Sequence, residues 1–241
     1  MSDKTLIHRG HRKRLRERFR REGLDNFNEI NALELLLFYC IHRQDTNDLA
    51  HRLLDRFGSF SNVLDAPTEE LMQVEGVGEA TALYLSVIRE AGRFYEVNRN
   101  GNTEGKKTAV LNNVEDIGEY IKPYFFGRTL ETVFLLCLDS KCRVICCKKI
   151  GEGSVNTAVL SVPKAVEVAL NSRAVSVVVA HNHPSGFAVP SPEDLDTTRK
   201  LEKALQAVGI VLVDHVIYSD DDYVSLALSN FFYRQQNGGN E

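Results

Sequence analysis

The chain has 241 residues, of which 43% are hydrophobic and 26% charged, a balance typical of a soluble globular protein. No apolar run reaches the roughly 18 residues that a membrane span needs, and the basic N-terminus lacks the apolar core of a secretory signal. The length allows two domains, or one large core with an appendage. The five cysteines form no disulfide framework, so we expect reduced thiols, a cytoplasmic location and no contact with membranes.

The net charge of −4 hides a strongly basic N-terminus. Residues 1–21 contain nine Lys or Arg against two Asp or Glu, a local net charge of +7, which leaves about −11 on the rest of the chain. An arm of this kind, from Arg9 to Arg21, is suited to binding the phosphates of DNA. A solvated helix or a disordered tail is the alternative interpretation.

The first half of the chain has the pattern of a helical domain. Apolar residues recur at helical spacing over 33–41 and 49–57, and Gly58 is expected to end the second of these helices. The polar, glycine-containing stretch 98–110 has no periodicity and is expected to be a linker. We therefore assign residues 1–97 to an N-terminal all-α domain.

A glycine turn lies near the end of this domain. The segment 67–96 predicts a short helix, a tight turn at Gly76–Gly78 and a longer helix. In helix-hairpin-helix units, the amides of such a turn bind DNA phosphates without reading the base sequence. Glu75 and Glu79 flank the turn, where a phosphate-binding hairpin prefers Lys or Arg. The turn therefore indicates either DNA contact or the packing of two helices.

Beyond the linker, strands alternate with helices. Predicted helices cover 113–126, 161–170 and 192–208, and predicted strands cover 131–139, 142–150, 175–180, 210–218 and 223–228. This order favours an α/β sandwich with a mixed sheet over residues 111–232. Residues 233–241 are expected to form a flexible tail.

The sequence from position 180, "AHNHPSGFAVPSPEDL", carries the strongest signal for a site. A strand sends residues i and i+2 to the same face, and Pro184 favours an extended backbone at His183, so His181 and His183 should project side by side. Asp194, in the first turn of the next helix, can return to the same edge. Two neutral imidazoles and a carboxylate leave zinc a fourth position for water.

The same stretch also has a purely structural interpretation. Ser191 and Asp194 have the spacing of a capping box, and Pro192 suits the first turn of a helix. The two interpretations are compatible, because a fixed helix start would hold Asp194 where the histidines need a third ligand.

The spacing of His181-x-His183, seven residues, Ser191, two residues and Asp194 matches the JAMM signature H-x-H-x7-S-x2-D of the JAB/MPN metalloprotease-like fold. The runs "HNHPSG", "PSPEDL" and "LVDHVIY" resemble the bacterial RadC-type branch of that fold over about 113–230. The helical half resembles the same family more weakly, through "VEGVGEATALYL". Phe187-Ala188-Val189 departs from the branch, where a short polar stretch is more familiar, and can alter what approaches the metal.

The resemblance implies a mixed-sheet JAB/MPN (cytidine-deaminase-like) domain in which His181, His183 and Asp194 bind Zn²⁺. It implies that Ser191 orients the bound water or stabilises the oxyanion. It also implies a glutamate general base at the start of the first strand of the domain, and Glu131 is the match here.

Two assignments stay open. Glu152, in "GEGSVN", competes with Glu131 as the base; we favour Glu131 because a strand edge gives a base a fixed position, although a surface charge at a strand end is its plain alternative. Asp214 and His215 are strand neighbours, so only one can face the metal edge. Support of the ligands is one interpretation of this pair, and a packed, hydrogen-bonded pair is the one we favour.

The leading functional hypothesis is a zinc-dependent hydrolase of metallopeptidase or isopeptidase type, acting on a peptide or protein. A second is a DNA-binding repair or genome-maintenance factor whose metal domain is regulatory or acts on nucleic acid. A third, a metal-dependent phosphodiesterase or nuclease, fits less well because such enzymes usually use paired metals. The substrate, the scissile bond and the oligomeric state stay open.

Overall fold

The computed structural model describes residues 3–42, 46–99, 109–153, 160–184, 186–219 and 222–229, with side chains from Gly10 onward. The chain divides into two compact units, Met1–Gly92 and Arg93–Glu241. Most of the predicted linker 98–110, and all of the predicted tail 233–241, lie outside the described residues. In the part of the chain that is described, no helix has both the length and the apolar character needed to cross a bilayer.

The first unit is helical. Its elements are α1 (Asp3–Glu22), α2 (Glu29–Cys40), α3 (Asn47–Phe57), α4 (Phe60–Asp65), α5 (Thr68–Leu71) and the first part of α6 (Glu79–Arg99). Its core consists of apolar side chains from α2 to α6, including Leu33, Leu37, Leu53, Leu71 and Leu85. The sequence pattern does not predict α4, because six residues are too few to show helical periodicity.

Two predicted glycine features are present in this unit. Gly58 ends α3 with a φ of +86°, a conformation that an L side chain disfavours. Gly76 turns the chain between α5 and α6 with a φ of +96°. The basic N-terminal segment forms the helix α1. Leu15 of α1 packs against Leu35 and Phe38 of α2.

The second unit is built on one five-stranded sheet. After α7 (Val114–Phe125), its elements are β1 (Thr132–Leu138), β2 (Val144–Glu152), α8 (Val162–Asn171), β3 (Ser176–Asn182), α9 (Pro192–Ala207), β4 (Val211–Ser219) and β5 (Asp222–Ser225). The strand order is β2-β1-β3-β4-β5. Strands β3 and β4 are parallel and the other neighbours antiparallel, so the predicted mixed sheet is confirmed.

Helices cover both faces of the sheet. Helix α7 packs an aromatic cluster, including Tyr124 and Phe125, against Phe134 and Tyr218 on one face. Helices α8 and α9 cover the other face, where their side chains pack against the odd-numbered residues of β1 and β3. All seven residues of β1 are buried, which explains its uninterrupted apolar sequence.

The last predicted strand, 223–228, is wrong at its C-terminal end. Strand β5 stops at Ser225, and residues 226–229 form a turn. The backbone N–H groups of Ala227 and Leu228 donate to the side chains of Asp214 and Ser225 and not to a neighbouring strand. Side-chain acceptors therefore end the strand pairing that the alternating sequence suggests.

Candidate metal centre

The histidines of the His181-x-His183 motif lie at the end of β3. His181 pairs with Val133 on β1, and the N–H of His183 donates to the carbonyl of Tyr218 at 2.7 Å, which keeps the backbone extended. Their side chains therefore project from the same face, as strand alternation predicts. The two Nε2 atoms are 2.9 Å apart.

The carboxylate of Asp194 reaches the histidines from the first turn of α9. A capping box fixes it: Ser191 Oγ accepts from the N–H of Asp194 at 3.1 Å, and the N–H of Ser191 donates to Asp194 Oδ2 at 2.9 Å. Ser191 Oγ also donates to Oδ2 at 2.7 Å. The hydrogen bonds that cap α9 therefore also fix the position of the Asp194 carboxylate.

The structure thus brings the three predicted ligands together. Asp194 Oδ1 lies 3.4 Å from His181 Nε2, and Asp194 Oδ2 lies 3.7 Å from His183 Nε2. One ligand atom from each residue lies within 4.8 Å of the others, a grouping able to hold a metal ion. His181 is buried, whereas His183 and Asp194 are half-buried, so the group is open on one side.

The hydrogen bonds behind the histidines orient both rings. His183 Nδ1 donates to the carbonyl of Phe187 at 3.1 Å, because a carbonyl can only accept. His181 Nδ1 lies 2.7 Å from Nε2 of the buried His215. Both rings therefore present Nε2 to Asp194, with Nδ1 held by the protein.

Asp214 and His215 are both buried and joined by a hydrogen bond, as the favoured interpretation expects, but their side chains lie apart and have different partners. Only the backbone N–H of His215 bonds to Asp214, whose carboxylate also accepts from Ser225 Oγ at 2.6 Å. The His215 ring lies on the opposite face, between His181 and Thr198. Strand alternation sends the two neighbours apart, and the parallel pairing of β4 with β3 brings His215 to the metal edge.

Thr198 is a residue that the sequence reasoning did not assign to the site. Its Oγ1 lies 2.5 Å from the carbonyl of Asp194 and 2.6 Å from His215 Nδ1. The available signal was its position four residues after Asp194 on α9, which places both on one helix face.

Glu131 lies at the start of β1 on the same sheet face as the histidines. Because Val133 pairs antiparallel with His181, continuing that register by two residues sets Glu131 opposite His183. The backbone on both sides of Glu131 is fixed by Asn182, which accepts from the N–H of Thr132 and donates to the carbonyl of Leu130. Glu131 is 8% exposed and contributes to the electrostatic environment of His183.

Glu152 lies on the other side of the sheet. It pairs with Thr132, whose side chain points away from the face that carries the histidines. Its carboxylate contacts Arg128 at 3.6 Å and Lys149 at 3.0 Å. The register therefore sets Glu131, and not Glu152, on the face of the sheet that carries the histidines.

Burial and neighbouring charges shift the pKa values of three residues at this site. Burial alone would raise the pKa of Asp194, but contacts with His181 and His183 outweigh it and hold that pKa well below its usual range. Interaction with the Asp194 carboxylate in turn raises the pKa of His183. Burial lowers the pKa of His215 well below its usual value, so this ring is neutral at neutral pH.

A small cavity opens beside these residues. Its lining contains both apolar and acidic side chains, and the lining residues are Val133, Leu160, His181, Glu193, Asp194, Thr197 and His215. Phe187 and Val189 belong to the loop that departs from the family pattern, between His183 and Ser191 in the sequence. Their side chains are 86% and 62% exposed.

The fold and this edge of the sheet define a JAB-type domain that follows a helical unit. A family model described as a RadC-like JAB domain matches residues 111–231, and one described as UPF0758 N-terminal matches residues 8–83. The chain belongs to the UPF0758 (RadC) family, which confirms the resemblance found from the sequence motifs.

Proteins from three bacteria support this membership, each named a UPF0758 protein. The one from Fusobacterium nucleatum is 31% identical over 227 residues, which cover 93% of this chain and 97% of the relative. The one from Ruegeria pomeroyi is 35% identical over 209 residues, 87% and 91% of the two chains. The one from Acinetobacter baumannii is 34% identical over 214 residues, 89% of each chain.

Proposed function

We propose that the second unit is a zinc-dependent hydrolase of amide bonds, of metallopeptidase or isopeptidase type. The observation that carries this proposal is the convergence of two imidazole nitrogens and a carboxylate at 2.9, 3.4 and 3.7 Å. Ligands about 2.0–2.1 Å from a tetrahedral zinc ion are about 3.3 Å from one another, so the donors already have nearly the required spacing.

The chemistry of the donors also fits a cation. With both Nδ1 atoms held by the protein, the Nε2 atoms of His181 and His183 face each other beside the carboxylate of Asp194. Such an arrangement needs a positive charge between the donors, either a proton or a metal ion. Three protein ligands with an open side are the pattern of catalytic zinc, whereas structural zinc has four.

When bound there, zinc would act as a Lewis acid and lower the pKa of a coordinated water to about 7. In this proposal, Glu131 takes the proton from the attacking water and later passes it to the leaving amine. Asn182 fixes the backbone on both sides of Glu131, which supports a constant starting point for this side chain on the histidine face.

Ser191 has a clear structural partner, and its proposed role toward the water or the oxyanion needs a separate test. Its hydroxyl proton is donated to Asp194 Oδ2. If Ser191 acts only through Asp194, Ser191→Ala should weaken zinc binding. If it acts on the reacting groups, the same change should lower kcat while zinc affinity is kept.

The lining of the cavity favours a peptide over a nucleic acid as the substrate. Outside the triad, Glu193 adds a negative charge to the lining, which disfavours a phosphodiester backbone. Val133 and Leu160 supply an apolar wall that suits an amino-acid side chain. The exposed Phe187 is a candidate for an additional apolar contact with the substrate.

The test uses the full chain loaded with zinc, a library of internally quenched peptides and a set of lysine-linked isopeptides. Glu131→Gln should keep zinc but lower hydrolysis by about 100-fold or more, because general base catalysis contributes at least that much. Glu152→Gln is the matched control and should keep the wild-type rate. Full activity in Glu131→Gln would remove Glu131 as the base, and no cleavage of either probe set by the wild type would count against the proposed reaction.

One observation favours DNA binding as a second candidate function. The guanidinium groups of Arg12 and Arg18 form hydrogen bonds within the helical unit, where they donate to the carbonyls of Ile41 and Asn26. Among the side chains of α1 that the structure describes, from Gly10 onward, five other basic ones are exposed: Lys13, Arg14, Arg16, Arg20 and Arg21. Over that part of the helix, Glu17 is the acidic residue that interrupts this basic face.

We propose that this face binds the DNA backbone without sequence preference. The Gly76–Gly78 turn should contribute less to DNA binding, because the negatively charged side chain of Glu75 beside it is 91% exposed. Replacing Arg14 and Arg20 by Gln should weaken duplex binding and reduce the slope of log K against log salt by about 0.9 for each phosphate that the protein no longer neutralises. Lys203→Gln, on α9, is the control; an unchanged slope in the double variant would rule out the α1 face.

A further inference from the structure

The hydrogen bonds behind His181 form a chain whose direction can be worked out from proton counting. Thr198 Oγ1 lies 2.5 Å from the carbonyl oxygen of Asp194 and 2.6 Å from His215 Nδ1. A hydroxyl has one proton and a carbonyl oxygen has none, so the short contact requires Thr198 to donate to Asp194. The Thr198 oxygen is then left as an acceptor toward His215.

The next link follows from the burial of His215. This ring is 2% exposed, and burial disfavours its charged form, so it carries a single ring proton. Because Thr198 Oγ1 can only accept, that proton lies on Nδ1 and leaves Nε2 bare. His181 Nδ1, 2.7 Å from that bare nitrogen, must donate to it. The only nitrogen of His181 that is left with a lone pair is Nε2, which faces Asp194.

We propose that Thr198 and His215 are positioning residues that fix the ring tautomer of His181, so that its Nε2 lone pair faces the metal centre. This inference rests on the proposed zinc site and says how the fold prepares one ligand for it. A histidine without such partners populates both tautomers, and one of them presents N–H to the metal. The hydrogen bonds from Thr198 through His215 exclude that tautomer of His181 in the metal-free protein.

The two positioning residues of this hydrogen-bond chain come from α9, which also carries the ligand Asp194, and from β4, which lies beside the ligand-bearing β3. Helix α9 carries Asp194 and, one turn later, Thr198, so the anchor of the chain is the backbone of a ligand residue itself. Strand β4 runs parallel to β3 and pairs His215 with Val179, two residues before His181 on the same face. A shift of α9 along the sheet would therefore move a ligand and the anchor together.

The first test reads the proton on His215 directly. Long-range ¹H–¹⁵N correlation spectra of the metal-free full chain distinguish a protonated from a bare ring nitrogen, and His215→Gln assigns the signals. We expect Nδ1 of His215 to carry the proton and Nε2 to be bare. A proton on Nε2 of His215 would overturn the inference without any further variant.

The second test removes the hydroxyl. Thr198→Val keeps the side-chain shape but frees the His215 proton to move to Nε2, which would reverse the hydrogen bond to His181. Zinc affinity, measured by competition with a chelator, should fall about 10- to 100-fold, the usual effect of losing an outer-shell partner. Thr198→Ser should restore the affinity and the tautomer, and Thr68→Val, the same change on α5 of the helical unit, should leave both as in the wild type.

The outcomes separate this inference from the proposed function. A wild type that binds no zinc while His215 carries its proton on Nδ1 would contradict the zinc site alone. A wild type that binds zinc, with the same affinity and the same His215 tautomer in Thr198→Val, would contradict the positioning role alone. If Thr198→Val fails to fold, the wild-type tautomer and the affinity of Thr198→Ser decide the question.

Discussion

Asp214 gives a sharp prediction about what holds the metal edge in place. Its carboxylate is 1% exposed and lies on the face of β4 opposite to His215. Oδ1 accepts the backbone N–H groups of His215 and Ala227 at 2.7 and 3.0 Å, and Oδ2 accepts Ser225 Oγ at 2.6 Å. We expect this carboxylate to join β4 to the turn after β5.

The magnitude follows from the three donors. Asp214→Ala leaves two N–H groups and a hydroxyl without their acceptor in a buried site, at about 1 to 1.5 kcal/mol each, so the free energy of unfolding should fall by about 3 to 4.5 kcal/mol. Asp214→Asn keeps the shape, can accept both N–H groups and can donate to Ser225 Oγ. It should therefore cost less than about 1 kcal/mol at neutral pH.

The dependence on pH distinguishes the charge from the hydrogen bonds. Burial raises the pKa of Asp214 above its unfolded value of about 3.9, although hydrogen bonds from Ser225 and from backbone N–H groups oppose the shift. A raised pKa means that the folded state holds the proton more tightly, so its stabilising effect is complete below pH about 3.9 and is lost as the pH rises through the folded pKa. Asp214→Asn has no such loss and should gain stability relative to the wild type over that window.

Urea unfolding of wild type, Asp214→Ala and Asp214→Asn, at mildly acidic and at neutral pH, measures both effects. Equal destabilisation by Ala and Asn at neutral pH would show that the negative charge itself is required. That result would refute the assignment of the stability to hydrogen-bond acceptance.

Two further predictions test the packing and the thiols of the second unit. Gly118→Ala should lower the free energy of unfolding by about 1 to 3 kcal/mol, because an added Cβ would lie 2.7 Å from the Tyr223 ring; an unchanged thermal midpoint would contradict the close approach of α7 to β5. Hydrogen bonds from Cys137 and Ser172 lower the pKa of Cys146, whereas burial raises that of Cys147. Iodoacetamide at neutral pH should therefore alkylate Cys146 faster, and equal labelling in peptide mass maps would be the opposing result.

The ligand triad could be predicted from the sequence because each of its parts depends on local rules. Alternation along β3 sets His181 and His183 on one face, and the capping box of Ser191 and Asp194 fixes the start of α9. These are interactions over two to four residues, which a sequence pattern reports directly.

The parts that depend on strand pairing could not be predicted in the same way. His215 reaches His181 only because β4 pairs parallel with β3 in one particular register. Glu152 and Glu131 differ as candidate bases only through the register of β1 with its two neighbours. Distances between residues 30 or more positions apart in the chain follow from the sheet as a whole, and no local pattern carries them.

The Asp214–His215 pair shows the same limit. Alternation correctly predicts that the two side chains part, but the acceptors and donors that receive them come from the turn after β5 and from α9. The local hydrogen bond from the His215 N–H to Asp214 is present, but the other partners of the two side chains come from elements distant in the sequence.

The zinc content of the full chain tests the central claim most directly. After purification with zinc and removal of excess metal, the wild type and Glu131→Gln should each retain about one zinc ion per chain. Asp194→Ala should retain none, and Glu193→Ala, a change in the same helical turn outside the triad, should retain the wild-type amount. A wild type without zinc, or an Asp194→Ala variant with as much zinc as the wild type, would contradict the assignment of His181, His183 and Asp194 as a metal centre.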